Sequence, residues 1–422
     1  MIYALLLFVL TYILMLLLQK WRPVIALVSA AVFVVSGMLP AGQAFGYVDF
    51  NVLLMIAGTM GTVALVIASK LPYLLSDIII EKVPNVKWAI VILSLFAGIV
   101  SAFIDNVATV LMIAPIALAM AKRLDISPVR MVIAIAVSSN LQGAATLVGD
   151  TTSILLGGYA GMDFNDFFVY HGKPGIFFAV ELGALVSALI LLVLFRKETA
   201  PVEAGKRTKV EDYVPGILLL ATVLLLILAS LFPNRPAMTN GFICAGIFLI
   251  GAVYNAIRKK SWKGFIEPFR EIDYETVLLL FGLFLVIGGI TEMGVVDAIA
   301  ALLAKLGGGN IFVIYTVIIW ASVLISAFID NIPYVATMLP VVQSIAAGMG
   351  VDPTVLYFGL LCGATLGGNL TPIGASANIT GIGLLRKEGW EVKNIDFLSI
   401  GIPFTLAAVI PAYIYLWIFY GV

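Results

Sequence analysis

Ser101-Ala-Phe-Ile-Asp-Asn106 and Ser326-Ala-Phe-Ile-Asp-Asn331 are the same six residues, 225 positions apart. The same offset, with no gap, pairs Val52-Leu53-Leu54 with Val277-Leu278-Leu279, Pro115 with Pro340, and Pro128 with Pro353. It also pairs Leu141, Gly143, Thr146 and Gly149 with Leu366, Gly368, Thr371 and Gly374. One offset kept over about a hundred residues is a duplication. Each copy of the motif sets a carboxylate in the middle of a long apolar run, Asp105 within 88–121 and Asp330 within 311–348. The arms on either side are short for a bilayer that needs about 20 apolar residues per crossing. Both regions therefore read as re-entrant helical hairpins, although two thin full crossings would leave the same loop sides.

Composition sets the surroundings of these motifs. Apolar residues make up 62% of the 422, and charged residues only 11%, against roughly a quarter in a soluble domain. Lys plus Arg equals Asp plus Glu at 24 each, so no basic face is available for nucleic acid. The apolar excess excludes a disordered chain. Two cysteines, Cys244 and Cys362, both in apolar runs, exclude a disulfide scaffold. The expected fold is an all-α polytopic membrane protein with about ten transmembrane helices, two of them broken, plus the two hairpins. The spans fall at 2–19, 23–39, 50–69, 130–160 (broken), 174–195, 213–232, 238–257, 275–304, 355–385 (broken) and 398–421. The first run has no basic residue before it and is followed at once by a second. It reads as a span with a tight turn after it rather than as a cleaved signal.

With the N-terminus outside, 21 Lys and Arg fall on inside segments and three outside, Lys173, Arg235 and Lys305. That asymmetry is the positive-inside rule. It predicts a multi-pass protein of the cell (cytoplasmic) membrane with both termini outside. The longest polar stretch, 196–212, then becomes an inside linker between two repeats, 1–195 and 213–422. Each half makes an odd number of crossings, which inverts one relative to the other. Lys122, Arg123 and Arg130 follow the first hairpin, whereas 349–354 has no Lys or Arg. The stretch 258–272 mixes basic and aromatic residues and reads as an interfacial helix, or else as a solvated loop.

Inverted repeats with broken helices are the architecture of secondary transporters, whose site lies near the midplane. The candidate chemistry sits where the helices break. Asp105, Asn106 and Thr109 belong to the first tip, and Asp330 and Asn331 to the second. Asn140, Gly143, Thr146, Gly149 and Asp150 interrupt the first broken helix. Gly368, Asn369, Thr371, Gly374 and Asn378 interrupt the second. Non-helical backbone at membrane depth survives only when it is buried in protein or lines a cavity. It offers helix N-termini to anions and free carbonyls to cations. No Lys or Arg stands beside the carboxylates within the apolar runs. A lone charge at the bilayer centre costs roughly 3 kcal/mol or more by insertion scales. The carboxylates should thus be protonated or paired with a bound cation, and Asp105 and Asp330 are candidate Na⁺ ligands. Asp and Asn are also preferred helix N-caps, a role that does not exclude the other. The Gly and Thr residues could instead be helix-packing faces. Glu181 and Glu292 lie within spans and are either functional or interface-facing. His171 reads as a loop residue, and the cysteines as inert packing residues.

The stretches 101–116, 140–154, 326–342 and 367–379 resemble the ion transporter superfamily, in its citrate-transporter-like grouping. That grouping includes arsenite permeases, the P-protein family, D-type Na⁺/H⁺ antiporters and dicarboxylate/Na⁺ symporters. The Ile-Asp-Asn tips look most like the P-protein and related prokaryotic permeases and are similar to D-type antiporters. Arsenite permeases tend to show Asn-Asp at the first tip, and dicarboxylate symporters carry Ser-Asn-Thr. Relatives often have Gly-Asp-Pro-Pro-Asn where this chain has Gly149-Asp-Thr-Thr-Ser153. The resemblance implies a still scaffold, a moving part made of hairpins and broken helices, and often a homodimer. The expected function is a secondary active transporter, not an enzyme. It would couple a Na⁺ or H⁺ gradient to movement of a small inorganic or organic anion or a neutral metalloid acid. The alternative is a Na⁺/H⁺ antiporter with no further substrate. No cofactor is expected beyond the coupling ion, and the bilayer is the expected surrounding.

Overall fold

Long apolar runs punctuated by Asp, Asn, Gly and Pro fold as helices that start and stop at the punctuation. The computed structural model describes residues 1–202, 207–232 and 234–421. Lys206, one of the charges counted on the inside, lies outside the described residues. Ahead of the 196–212 stretch come α1 (Ile2–Leu17), α2 (Arg22–Val35), the short α3 (Ala41–Ala44), α4 (Phe50–Ala68), α5 (Leu71–Lys82), α6 (Val86–Ser101), α7 (Asn106–Leu124), α8 (Val129–Gln142), α9 (Thr151–Ala160) and α10 (Ile176–Leu194). After it come α11 (Val214–Ala229), α12 (Thr239–Lys259), α13 (Trp262–Arg270), α14 (Tyr274–Glu292), α15 (Val295–Leu306), α16 (Ile311–Ser326), α17 (Asn331–Met349), α18 (Thr354–Gly367), α19 (Ser376–Lys387) and α20 (Asn394–Tyr420).

The duplication is written into the element boundaries. α16, α17 and α18 begin and end 225 residues after α6, α7 and α8. Among the described residues, seven helices are long and apolar enough to cross a membrane: α4, α7, α10, α12, α14, α17 and α20. The pair α1 and α2 meets at an angle of 119° across a short turn, Gln19–Trp21.

Most expected spans match one helix each. The 275–304 span does not. It breaks at Gly294, whose φ of +69° is left-handed, into α14 and α15. Glycine reaches that conformation without steric cost. The matching break in the first half is Lys70, also left-handed at φ +62°, which separates α4 from α5. Both hairpins are present as helix, tip and helix. α6 and α16 have 16 residues each, or about 24 Å at 1.5 Å per residue. Both broken helices are present too. α8 ends in a 3-10 turn at Gly143–Ala145, α18 in one at Gly368–Leu370, and extended backbone at Thr146 and Thr371 leads on to α9 and α19.

The halves grip each other. α12 of the second half lies along α4 of the first, and α2 of the first along α14 of the second. Small residues permit both approaches: a Cβ at Gly58 would sit 2.4 Å from the Cys244 carbonyl carbon, and one at Gly282 2.8 Å from that of Ala26. α10 packs on α20, α6 on α8, and α16 on α18. α13 folds back on α12, with Trp262 stacked on Phe265 and mostly exposed. The expectation of a helix within 258–272 is therefore met.

Residues 198–202 and 207–212 lie along the first half. The Ala200 and Glu198 carbonyls accept from the amides of Val86 and Lys87. Arg207 pairs with Glu81, the Thr208 amide donates to Asp77 at 2.7 Å, and the Glu211 amide donates to the Ser69 carbonyl.

Candidate functional site

Each hairpin tip is a helix start. Asp105 caps α7, and its Oδ1 accepts from the Val107 and Ala108 amides at 3.0 and 3.1 Å. Asp330 caps α17, its Oδ1 accepting from the Ile332 amide at 3.2 Å. Capping uses only one oxygen of each carboxylate. The capping role foreseen for these residues is met, and the second oxygen is where the tips differ.

The breaks are clamped to the tips by a repeated device. Thr146 Oγ1 donates to the Ala102 carbonyl, and Thr371 Oγ1 to that of Ala327. Gly149 lies so close that a Cβ would sit 2.6 Å from the Gly143 oxygen and 2.8 Å from those of Ser101 and Ala102. At Gly374 the corresponding distances are 2.5 Å to Gly368, 2.8 Å to Ser326 and 2.9 Å to Ala327. These four residues are struts. Asn378 likewise donates to the carbonyls of Gly368 and Thr371 at 3.0 and 3.1 Å, and Ser153 to that of Gly143. Thr109 is fully buried on α7, its hydroxyl without a partner among the described residues.

A line of asparagines joins the halves. Asn106 donates to Asn140 Oδ1 at 3.0 Å. Asn140 donates to Asn369 Oδ1 at 3.0 Å and to the carbonyl of Thr365 at 2.7 Å. Asn369 donates to the Val137 carbonyl at 2.9 Å. Thr365 is the residue 225 after Asn140, so Asn140 bonds to its own counterpart. Nearby, Asp150 Oδ2 accepts from Thr152 at 3.0 Å and from Asn331 of the second tip at 3.4 Å.

Asp105, Asn106, Asp150, Thr151, Asn331 and Ser376 face a cleft of about 540 Å³. Its mouth lies at the C-terminal end of α4, among Glu211, Asp212, Arg258, Lys259, Glu267, Glu271 and Asp273. Arg258 is paired with Asp212 at 3.2 Å and Lys259 with Glu267. The remaining charges of the cleft are acidic. A pocket of about 20 Å³ lies between Asp105, Asp150 and Thr59 of α4, roughly enough for one water or a small ion. A separate cleft of about 830 Å³, at the N-terminal end of α4, is lined by Tyr47, Asp49, Tyr159, Asp163 and Arg235. Among the described residues no cluster of three or more His, Cys, Asp or Glu could hold a metal ion.

This arrangement, two repeated tips and two repeated breaks meeting across a polar seam, has counterparts among known proteins. The family described as citrate transporter matches residues 12–363. The chain belongs to the citrate transporter family. An uncharacterized transporter of Mycobacterium tuberculosis is 35% identical over 342 residues, covering 79% of this chain and 77% of that one. The P protein of Mus musculus is 25% identical over 406 residues, covering 76% of this chain and 48% of its own length. The Alcanivorax borkumensis YdaH transporter superposes with a TM-score of 0.62 over 96% of this chain and 98% of that one. At 13% identity this likeness shows the fold.

In this citrate transporter family chain, one residue of the site escaped the sequence reading. Arg22, the first residue of α2, places Nη1 3.2 Å from Asp330 Oδ2. Ser376 donates to the same oxygen at 3.1 Å. Asp330 is therefore not a lone carboxylate, and its second oxygen is already engaged where that of Asp105 faces the cleft. The expectation that each tip carboxylate is protonated or paired with a bound cation does not hold for Asp330, which a distant arginine pairs. Arg22 lies between two apolar runs, 308 residues from its partner, and reads there as a loop charge. Glu181 accepts from Gln142 at 3.0 Å, tying α10 to the end of α8. Glu292 accepts from the Tyr47 hydroxyl at the end of α14.

Proposed function

We propose that this chain is a secondary active transporter of the cell membrane that couples a Na⁺ or H⁺ gradient to movement of a small anion or neutral metalloid acid. The observation that carries the reading is the meeting of Asp105 and Asp150 with Asn106 and Asn331 at the inner end of one cleft. Two carboxylates without a basic partner among the described residues, at membrane depth, call for a proton or a cation. The N-termini of α7, α9, α17 and α19 lie at the same place and favour an anion. Neutral Asn and Thr groups can orient such a substrate without trapping it. The family description, citrate transporter, supports an organic anion among the candidates. In this reading 1–195 and 213–422 are inverted repeats, 196–212 faces the cytoplasm, both termini lie outside, and the cleft opens inward. α6 to α9 and α16 to α19 move together against α2, α4, α12 and α14.

A second reading is a Na⁺/H⁺ antiporter without further substrate. It is favoured by the acidic mouth of the cleft, whose two basic residues are both already paired. Purified protein in liposomes with a trapped pH dye separates the two. A Na⁺ gradient that alone drives proton efflux, lost in Asp105→Asn, makes the chain an antiporter. Uptake of labelled citrate, arsenite or phosphate that needs a Na⁺ or pH gradient, also lost in that variant, supports the first reading. Flux indifferent to both gradients and to Asp105→Asn overturns both.

A further inference from the structure

The duplicated tips have the same sequence and cap geometry, yet their charges are balanced differently. Beside the first tip stand Asp105 and Asp150, the latter also accepting from Asn331 of the second tip, with no Lys or Arg paired to either among the described residues. Around the second stands Asp330, while the position of Asp150 is taken by Ala375, 225 residues on. There the Arg22 guanidinium occupies the outer oxygen of the carboxylate. With every group ionised, Asp105 and Asp150 together carry two negative charges, and Asp330 with Arg22 carries none. We infer that Arg22 is a built-in cation that fills the second of two repeated cation sites, leaving only the first to an ion that exchanges with solution. The inference rests on the cation-coupled reading proposed above.

Three observations support it. The groups around Asp330 are those a small cation would otherwise find: a carboxylate oxygen not used in capping and the Ser376 hydroxyl on that same oxygen. The corresponding oxygen of Asp105 makes no hydrogen bond among the described residues and faces the cleft. Arg22 is poorly placed to hold a substrate anion. Its Nη1 is on Asp330, its Nε donates to the Met15 carbonyl at 3.3 Å, and it is not part of the cleft wall. Its side chain is 16% exposed and that of Asp330 10%. A buried carboxylate left without its partner is strongly disfavoured, so removing the guanidinium should recruit a replacement from solution. A tethered charge differs from a bound ion in one respect that matters to a transporter. It cannot be released on the far side, so it carries no driving force. The second site then contributes charge balance but no coupling.

The test counts bound ²²Na⁺ at equilibrium, on purified full-length protein at pH 8.5 in choline buffer. Arg22→Gln should bind one more Na⁺ than the wild type. Arg22→Lys and the double variant Arg22→Gln/Asp330→Asn should bind the wild-type number. In Arg22→Ala, free guanidinium ion should displace the additional Na⁺ and no other. Asp105→Asn should remove wild-type binding and leave the additional site of Arg22→Gln in place. Equal counts in wild type, Arg22→Gln and Arg22→Ala, in protein that still melts cooperatively and keeps its Asp105-dependent binding, overturn the inference. Wild-type binding that survives in Asp105→Asn/Asp150→Asn is a separate failure. It overturns the coupling reading, whatever Arg22 does. Wild type without Na⁺ binding, but with one Na⁺ gained by Arg22→Gln, supports the inference and assigns the first tip to a proton.

Discussion

The first and second hairpin tips share six residues, a cap and a clamp, and they differ in what surrounds the free carboxylate oxygen. What is the same on both sides is backbone work. Asp105 and Asp330 start helices, Thr146 and Thr371 pin the breaks, and Gly149 and Gly374 let chain approach chain. What differs is charge. Asp150 stands on one side and Ala375 on the other, and Arg22 serves one tip only. Within one duplicated chain, the shared residues mark what the fold needs. The unshared ones mark where the two halves have taken different tasks.

The largest way to break this comparison is Asp105→Asn. The amide still caps α7, so thermal stability in detergent should change little. Cation-driven flux in liposomes should fall by about 100-fold or more, consistent with loss of a charge used only in coupling. A stability loss as large as the flux loss would place Asp105 among the struts instead. Next come Gly149→Ala and Gly374→Ala. Each Cβ would meet three backbone carbonyls below 3 Å, and backbone cannot step aside as a side chain can. About 1–3 kcal/mol of destabilisation is expected from each. The two losses should be alike, and melting curves that separate the pair widely would show that the clamps are not equivalent.

Asp150→Ala gives the first half the residue that the second half has. It should weaken cation affinity by roughly tenfold, about the 1.4 kcal/mol of one supporting charge, while leaving a single cation site. An unchanged cation titration would remove Asp150 from the site. The smallest effect is expected away from both tips, where 207–212 is held to the first half. The Arg207 guanidinium beside Glu81 holds its carboxyl below the usual range. A folded value below the unfolded one contributes stability that is full above the unfolded value, near 4.3, and is lost as pH falls through the folded value. Hydrogen-exchange protection at Thr208 and Glu211 should therefore be flat from neutral pH to about pH 5 and drop below it. Glu81→Gln should reduce that drop, the Lys70–Glu211 pair keeping part of it. The pair is exposed, so the change should be small.

The architecture was legible because a duplication announces itself without any structure. Six identical residues at one offset located both tips, and the Gly and Thr pattern located both breaks. The turn at the start of the fifteenth helix was missed because Thr291 and Glu292, just before Gly294, read as polar residues inside one span. Its counterpart, Lys70, was visible only as the end of a span, and the sequence reading assigns no element to α5 behind it. Arg22 was hidden for a different reason. Hydrophobic patterning reports which side of a helix is buried, but not which distant carboxylate a basic residue will meet. The roles of Thr146 and Thr371 were also open, since a hydroxyl at a break serves equally to hold an ion or to hold a carbonyl.

The two clamps also constrain how the pathway can open. A tip that lifted like a flap would break the bond from Thr146 to Ala102, or from Thr371 to Ala327, and leave a hydroxyl and a carbonyl unpaired. An orphaned buried group costs about 1–3 kcal/mol, and the glycine contact behind each bond would be lost with it. Sliding the tip along its break is blocked as well, because the carbonyls around Gly149 and Gly374 leave no clearance. Each hairpin and its break are thus latched into one carriage, and the cheaper seams to open are those that carry no such latch.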